Sequence, residues 1–313
     1  MNLFRHITLD REAEEMLHAG LPPEVQLIAA NGADPEERQF ERFSECEIAF
    51  GNIPASWLSR SAALRWLQLE SVGFEAYNGA LAEFGRRGVL TNLHGFFGQP
   101  VAESALAGIM ALKRGIDRLT LLKERQEWEG STLRPQLGLL QGAKTLIAGG
   151  GNIGHSIRKL LSGFDAEILI YDRHPERGDL STTDAFDGEL PSADVVIACL
   201  PENEASKHFF NERRFALMPP SALFVNVGRG GVVDEPALIK RLKEGQIAGA
   251  VLDVSCTEPL PHGHELWNCP NTVITQHTGG GSKGEQTGKV AVFLDNLSRY
   301  IAGQPLKRIV TAG

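Results

Sequence analysis

Cysteine is scarce in this chain, and the four present are not spaced as partners. Cys46, Cys199, Cys256 and Cys269 form no CxxC pair and no zinc-ligand pattern. That excludes a legible disulfide framework and points to free thiols in a reducing compartment. Long apolar runs are missing too: nowhere do eighteen apolar residues follow one another, so no membrane-spanning helix is expected. Basic charge is short. Lys and Arg total 31 against 39 Asp and Glu, a formal net charge of -8, and a chain with this balance is a poor partner for nucleic acid or an anionic membrane. The opening MNLFRHITLDREAEEM carries charges where a signal peptide needs an apolar stretch. His262 and His264 stand without a nearby acidic or thiol pattern and read as loop residues, so no metal is expected. These absences leave a cytoplasmic protein that binds neither nucleic acid nor membrane.

What is present suits a globular chain. The 313 residues, 42% hydrophobic and 22% charged, allow two domains of ordinary size. In the middle of the chain, short β-branched runs alternate with helical patterns. Strands are predicted at 145–148, 168–171, 194–200, 222–226, 247–254 and 272–275, with helical periodicity in Ile153, Ile157, Leu160 and Leu161 and again over 211–218. Asp234 suits an N-cap, Pro236 a first turn and Gly245 a stop. Strands alternating with helices imply βαβ units and a parallel sheet. The first hundred residues alternate more weakly, with candidate strands at 25–29, 47–50, 66–69 and 89–91. One long apolar-periodic stretch, 101–124, follows them, and a helical pattern at 289–301 places Val290, Phe293, Leu294, Leu297 and Ile301 on one side.

Directly after the 145–148 strand comes Gly149-Gly150-Gly151-Asn152-Ile153-Gly154, a GxGxxG that opens a predicted helix. Gly149 permits a tight turn, Gly151 lets backbone approach a pyrophosphate, and Gly154 allows close helix–sheet packing. The helix start offers N–H groups and positive potential to phosphates. Asp172 ends the next strand, eighteen residues after Gly154, where a carboxylate accepts hydrogen bonds from ribose hydroxyls. It repels a 2′-phosphate and so favours NAD. Arg173 and His174 follow at once and are suited to such a phosphate, which leaves NADP open.

Three polar residues stand at predicted C-terminal strand ends, where ligands gather in open α/β sheets: Arg229, Glu258 and His277. Hydride transfer at C2 of a hydroxy acid needs such a set. A base takes the hydroxyl proton in oxidation or returns it in reduction, and histidine suits this near neutral pH. A carboxylate, here Glu258, orients the imidazole and stabilises its charged form. A fixed cation, here Arg229, holds the substrate carboxylate by a two-pronged hydrogen bond.

On these residues, and on the stretches GAKTLIAGGGNIG (142–154), ADVVIACLP (193–201), NVGRGGVVDEPALIKRLKEGQIAGAVLDV (226–254), EPLP (258–261) and TVITQH (272–277), the chain resembles the D-isomer-specific 2-hydroxyacid dehydrogenases over nearly its whole length. The resemblance implies two Rossmann-like or flavodoxin-like α/β domains with parallel sheets and a cleft between them. Residues 1–99 plus 285–313 would form the substrate-binding domain and 100–284 the dinucleotide-binding domain. It implies that Arg229, Glu258 and His277 are catalytic and that Asp253 contacts the nicotinamide carboxamide. Leu200, Pro201, Val227 and Gly279 would join Gly149, Gly151, Asn152, Ile153, Gly154 and Asp172 against the cofactor. Ser71-Val72-Gly73 resembles the loop whose backbone N–H groups hold the substrate carboxylate, so Val72 and Gly73 join Arg229 and His277 at the substrate; a simple strand-to-helix turn reads the same way. A homodimer built around 101–124 is implied, though a buried intrachain helix would look alike.

Some positions depart from the family pattern. Gln276 stands where a proline commonly precedes the histidine, which removes a source of local rigidity. Ser104 occupies a site that often carries a larger aromatic residue or histidine. Phe96 and Phe97 either narrow the cleft or belong to the core. Formate dehydrogenases share the fold, but a glutamate paired with the histidine favours a hydroxy acid. The expected activity is hydride transfer between NAD(H) and a small D-2-hydroxy acid or 2-keto acid, with glyoxylate or hydroxypyruvate reduction as one form. The alternative is an NAD(H)-sensing, corepressor-like binding protein on the same scaffold.

Overall fold

A computed structural model describes residues 1–310. The chain divides into two compact units, Met1–Phe96 with the described part of Ser282–Gly313, and Phe97–Gly281.

The first unit is a five-stranded parallel sheet. In chain order it comprises β1 (Asn2–His6), α1 (Arg11–Gly20), β2 (Gln26–Ala29), α2 (Glu36–Ser44), β3 (Ile48–Gly51), α3 (Ser56–Arg60), β4 (Trp66–Gln68), α4 (Asn78–Phe84) and β5 (Val89–Thr91). The sheet order is β2-β1-β3-β4-β5, the flavodoxin-like winding. β1 was not expected as a strand. It is short, and its apolar part is only the pair Leu3–Phe4, followed by Arg5 and His6. Successive strand residues point to opposite faces, so Phe4 enters one core with Phe43, Trp57 and Leu90. Leu3 enters the other with Leu17, Ile48 and Phe293. Covered on both faces, β1 shows no alternation, and with only two apolar residues it offers no apolar run either.

The C-terminal helix, Glu285–Ile301, packs on that second face. Phe293 stacks on Phe50 at 4.5 Å and on Trp66 at 5.2 Å between ring centroids. Val290 and Leu297 are buried beside it, whereas Ile301 is exposed. Asn296, fully buried, donates to Gln68 Oε1 and to Lys307 O and accepts from the Lys307 N–H. A buried amide satisfied in this way fixes the returning segment to β4.

The second unit starts with α5 (Gly98–Lys113) and α6 (Ile116–Arg125). There follow β6 (Lys144–Ala148), α7 (Asn152–Leu161), β7 (Glu167–Tyr171), α8 (Thr183–Glu189), β8 (Val195–Ala198), α9 (Glu212–Leu217), β9 (Leu223–Asn226), α10 (Glu235–Lys243), β10 (Gly249–Leu252) and β11 (Thr272–Ile274). All six strands are parallel in the order β11-β10-β9-β8-β6-β7. The single helix expected over 101–124 is two: Gly115 takes φ +63°, a left-handed conformation that ends one helix and starts the next. The strand order reverses between β6 and β8, so both neighbouring chain ends splay apart at the C-terminal end of β6. That switch point is where open α/β sheets bind ligands. Among the described residues no helix is long and apolar enough to cross a membrane.

Candidate functional site

The glycine loop sits at the switch point. Gly149 has φ +117°, and a Cβ there would lie 2.8 Å from Cys199 O. A Cβ on Gly150 would meet Arg177 O at 2.3 Å, and one on Gly154 would meet Gly149 O at 2.1 Å. Gly151 differs: nothing lies within 4 Å of its absent Cβ, and as N-cap of α7 it supplies no side-chain cap. Asn152 and Ile153 head that helix. Three glycines are therefore demanded by the protein's own backbone, while the fourth faces open space at a helix N-terminus, as a pyrophosphate requires. Asp172 Oδ2 accepts from the Gly150 N–H at 2.9 Å and Oδ1 from the His174 N–H at 2.9 Å. Its carboxylate is thereby locked beside the loop, with Arg173 and His174 exposed next to it. Cys199 beside Gly149 stays a thiol, since burial pushes it up to about 12.

Beyond β8 and β9 the chain is folded tightly. Leu200 lies against Gly228, whose Cβ would sit 2.7 Å from Leu200 O. Pro201 O accepts from Ser206 Oγ, and Val227 is buried in the core that α5 covers. Asn226, not singled out by the motif reading, is 1% exposed. Its Oδ1 accepts from the Gly228 N–H at 3.1 Å and its Nδ2 donates to Arg229 O at 3.0 Å. This Asx-type turn presents Arg229, whose Nη1 donates to Gly228 O at 2.8 Å. Among the described residues Arg229 has no carboxylate partner, which leaves the outer edge of the guanidinium for an external anion. An Asn two residues before a Gly is a signal for such a turn, so Asn226 was findable.

Glu258 and His277 follow β10 and β11. His277 Nδ1 lies 2.6 Å from Glu258 Oε2, and Glu258 Oε1 accepts from the Ser255 N–H at 3.1 Å. The histidine side chain is 52% exposed and the glutamate 34%. With Nδ1 held by the carboxylate, Nε2 is directed away from it. Gln276 and His277 both take positive φ, +54° and +57°, and the His277 N–H donates to Asp253 O at 2.6 Å. The rigidity expected to be lost with proline is thus supplied by a hydrogen-bonded left-handed pair. Asp253, buried, accepts from Thr275 Oγ1 at 2.5 Å and from the Gly279 N–H at 2.9 Å. A side chain at 279 would strike Asp253 Oδ2. Ser104 on α5 donates to Gly279 O at 3.1 Å, so this departure from the family pattern fastens the segment after His277. A pocket of about 390 Å³ adjoins the pair, walled by Leu260, Leu266, Trp267 and Ile274 with Glu258, Gln276 and His277 at its polar side.

Arg229, Glu258, His277, Asp253, Asp172 and the glycine loop all belong to the second unit. Val72 and Gly73 belong to the first, in the bend after β4: Val72 O accepts from Asn92 Nδ2 at 2.7 Å, and Gly73 O from Ser71 Oγ at 2.8 Å. Phe97 packs with the α5-side core of the second unit. Phe96 lies where a Cβ on Gly288 would touch its ring at 2.9 Å. His264 is engaged in the protein itself, with Nε2 3.3 Å from Glu235 and Nδ1 accepting from the Leu266 N–H. Among the described residues no group of three or more His, Cys, Asp or Glu is arranged to hold a metal ion.

Residues 106–279 match the family model described as D-isomer specific 2-hydroxyacid dehydrogenase, NAD binding domain. A glyoxylate reductase from Pyrococcus horikoshii is 34% identical over 251 residues, covering 77% of this chain and 74% of its own. A glyoxylate/hydroxypyruvate reductase B from Escherichia fergusonii is 31% identical over 316 residues, with 97% of each chain covered. The crystal structure of a D-isomer specific 2-hydroxyacid dehydrogenase family protein from Aeromonas salmonicida subsp. salmonicida superposes with a TM-score of 0.82 at 27% identity, covering 100% of this chain and 99% of that one.

Proposed function

Because the chain belongs to the D-isomer specific 2-hydroxyacid dehydrogenase family and is an NAD(P)-dependent oxidoreductase, we propose that it reduces a small 2-keto acid such as glyoxylate or hydroxypyruvate with NADH. The relatives' names, both reductases, favour an enzyme over a nicotinamide-sensing binding protein. The observation that carries the reading is the 2.6 Å pair of His277 Nδ1 and Glu258 Oε2, in the same unit as Arg229 and the glycine loop.

Each residue has one task. Gly151, Asn152, Ile153 and the turn made by Gly149 and Gly154 hold the pyrophosphate; Asp172 holds the ribose; Leu200, Pro201, Val227 and Gly279 back the nicotinamide half. Asp253 is fixed by two donors and offers its remaining lone pairs to the carboxamide. Nicotinamide, when bound, supplies the hydride. Arg229 grips the substrate carboxylate by two parallel hydrogen bonds. His277, through Nε2, gives its proton to the carbonyl oxygen at C2 as that oxygen gains charge. Glu258 keeps the imidazolium oriented and compensates its charge. In oxidation the same nitrogen takes the hydroxyl proton.

NAD is preferred because Asp172 cannot turn away: both its oxygens are tied to backbone N–H groups, and its charge meets a 2′-phosphate head-on. Ile116, Leu119 and Leu121 on α6, and Trp128 after it, are exposed apolar side chains, which supports a homodimer through this surface. The four unpaired cysteines suit a cytoplasmic setting. The test is NADH and NADPH oxidation against a panel of 2-keto acids, with Asp172→Ala alongside. Faster turnover of a small keto acid with NADH, and a variant that loses more with NADH than with NADPH, are the expected results. No turnover across the panel overturns the reaction; equal losses remove Asp172 from cofactor choice.

A further inference from the structure

The Arg229 and Glu258 loops are pressed together backbone to backbone. A Cβ on Gly230 would fall 2.0 Å from Ser255 O and 2.6 Å from Cys256 N. Cys256 Sγ points at Gly230 O and Val233 O, at 3.5 and 3.7 Å. One carboxylate closes this contact from the far side. Glu235, the first residue of α10, is only 11% exposed in its side chain. A charge at a first helical position gains from the dipole without being buried, so that role leaves the burial unexplained. Its Oε2 accepts from the Cys256 N–H at 3.0 Å, and its Oε1 lies 3.3 Å from His264 Nε2. Because His264 Nδ1 accepts from the Leu266 N–H, the neutral ring carries its proton on Nε2, toward Glu235. The carboxylate thus gathers the segments on both sides of Glu258.

From this geometry we propose that Glu235 is a positioning residue that sets the Glu258–His277 pair by clamping Ser255–Cys256 against the Arg229 loop. The inference rests on the roles assigned to Glu258 and His277 above. The route is short. Glu235 holds the Cys256 N–H; the adjacent Ser255 N–H holds Glu258 Oε1; Glu258 Oε2 holds His277. Arg229 is anchored separately, by Asn226. Loss of the clamp therefore disturbs proton transfer while substrate binding stays.

The test is a double-mutant cycle on the full-length enzyme with glyoxylate and NADH. Glu235→Ala is expected to lower kcat about 10- to 100-fold, as small misplacements of reacting groups do, with KM for the keto acid nearly unchanged. Glu235→Gln, whose amide oxygen can still accept from Cys256, should recover most of that loss. In a Glu258→Ala background Glu235→Ala should cost little more, since coupled residues are not additive. An equal factor in both backgrounds means a general structural role and overturns the proposal, as does a Glu235→Ala enzyme with wild-type kcat. Should the alanine variant not fold, Glu235→Ser, too short to reach Cys256, takes its place in the cycle. A crystal structure of the variant decides the same question without turnover: an unmoved Glu258–His277 pair refutes the clamp. A wild-type enzyme inactive on every keto acid would instead count against the function.

Discussion

Gln276 and His277 carry a backbone conformation that their side chains do not favour. Two successive non-glycine residues at φ near +55° persist only where the surroundings hold them, and here the His277 N–H is held by Asp253 O. Proline, the residue the family commonly places at 276, has φ locked near −65° and cannot adopt this turn. Gln276→Pro is therefore expected to lower turnover at least tenfold and to lower the melting temperature, although it moves the sequence toward its relatives. Unchanged activity and melting would show that the turn is not as described. The residues proposed as catalytic were visible in the sequence because each is a chemically distinctive side chain at a strand end. Glu235 and Ser104 were not, because their partners, Cys256 N and Gly279 O, are backbone atoms 21 and 175 positions away. No local pattern records such a pairing.

Among the elements, strands that form continuous apolar runs and helices marked by caps read most clearly. Asp234 accepts from the Ala237 N–H and starts α10, and Gly245 at φ +63° follows its end, as the residues suggest. The strand β1 was missed because its apolar part is only Leu3–Phe4, too short to form the apolar run by which the other buried strands were read. The division of 101–124 into α5 and α6 was missed because apolar periodicity runs through Gly115, and a left-handed glycine leaves that periodicity intact. α6 also carries its own prediction. It shows Leu121 at 55% exposure, and Trp128 beyond it at 94%, the exposed apolar side chains on which the proposed dimer rests. Leu121→Glu with Trp128→Ser should convert a dimeric mass to a monomeric one in light scattering. A monomeric wild type would refute the dimer.

For the molecule as a whole, the second unit's sheet was readable as parallel α/β from strand–helix alternation, whereas the first unit's alternation was weaker and its α/β fold followed from the family resemblance. The assignment of chemistry rests on His277 more than on any other residue, since it alone is asked to move a proton. The decisive experiment is therefore steady-state reduction of glyoxylate by wild type and His277→Ala, with NADH binding measured on both by fluorescence. Turnover lower by about 10²–10⁴-fold, with NADH affinity unchanged, is the expected result. Near-normal turnover in the variant would contradict the mechanism and remove His277 from it.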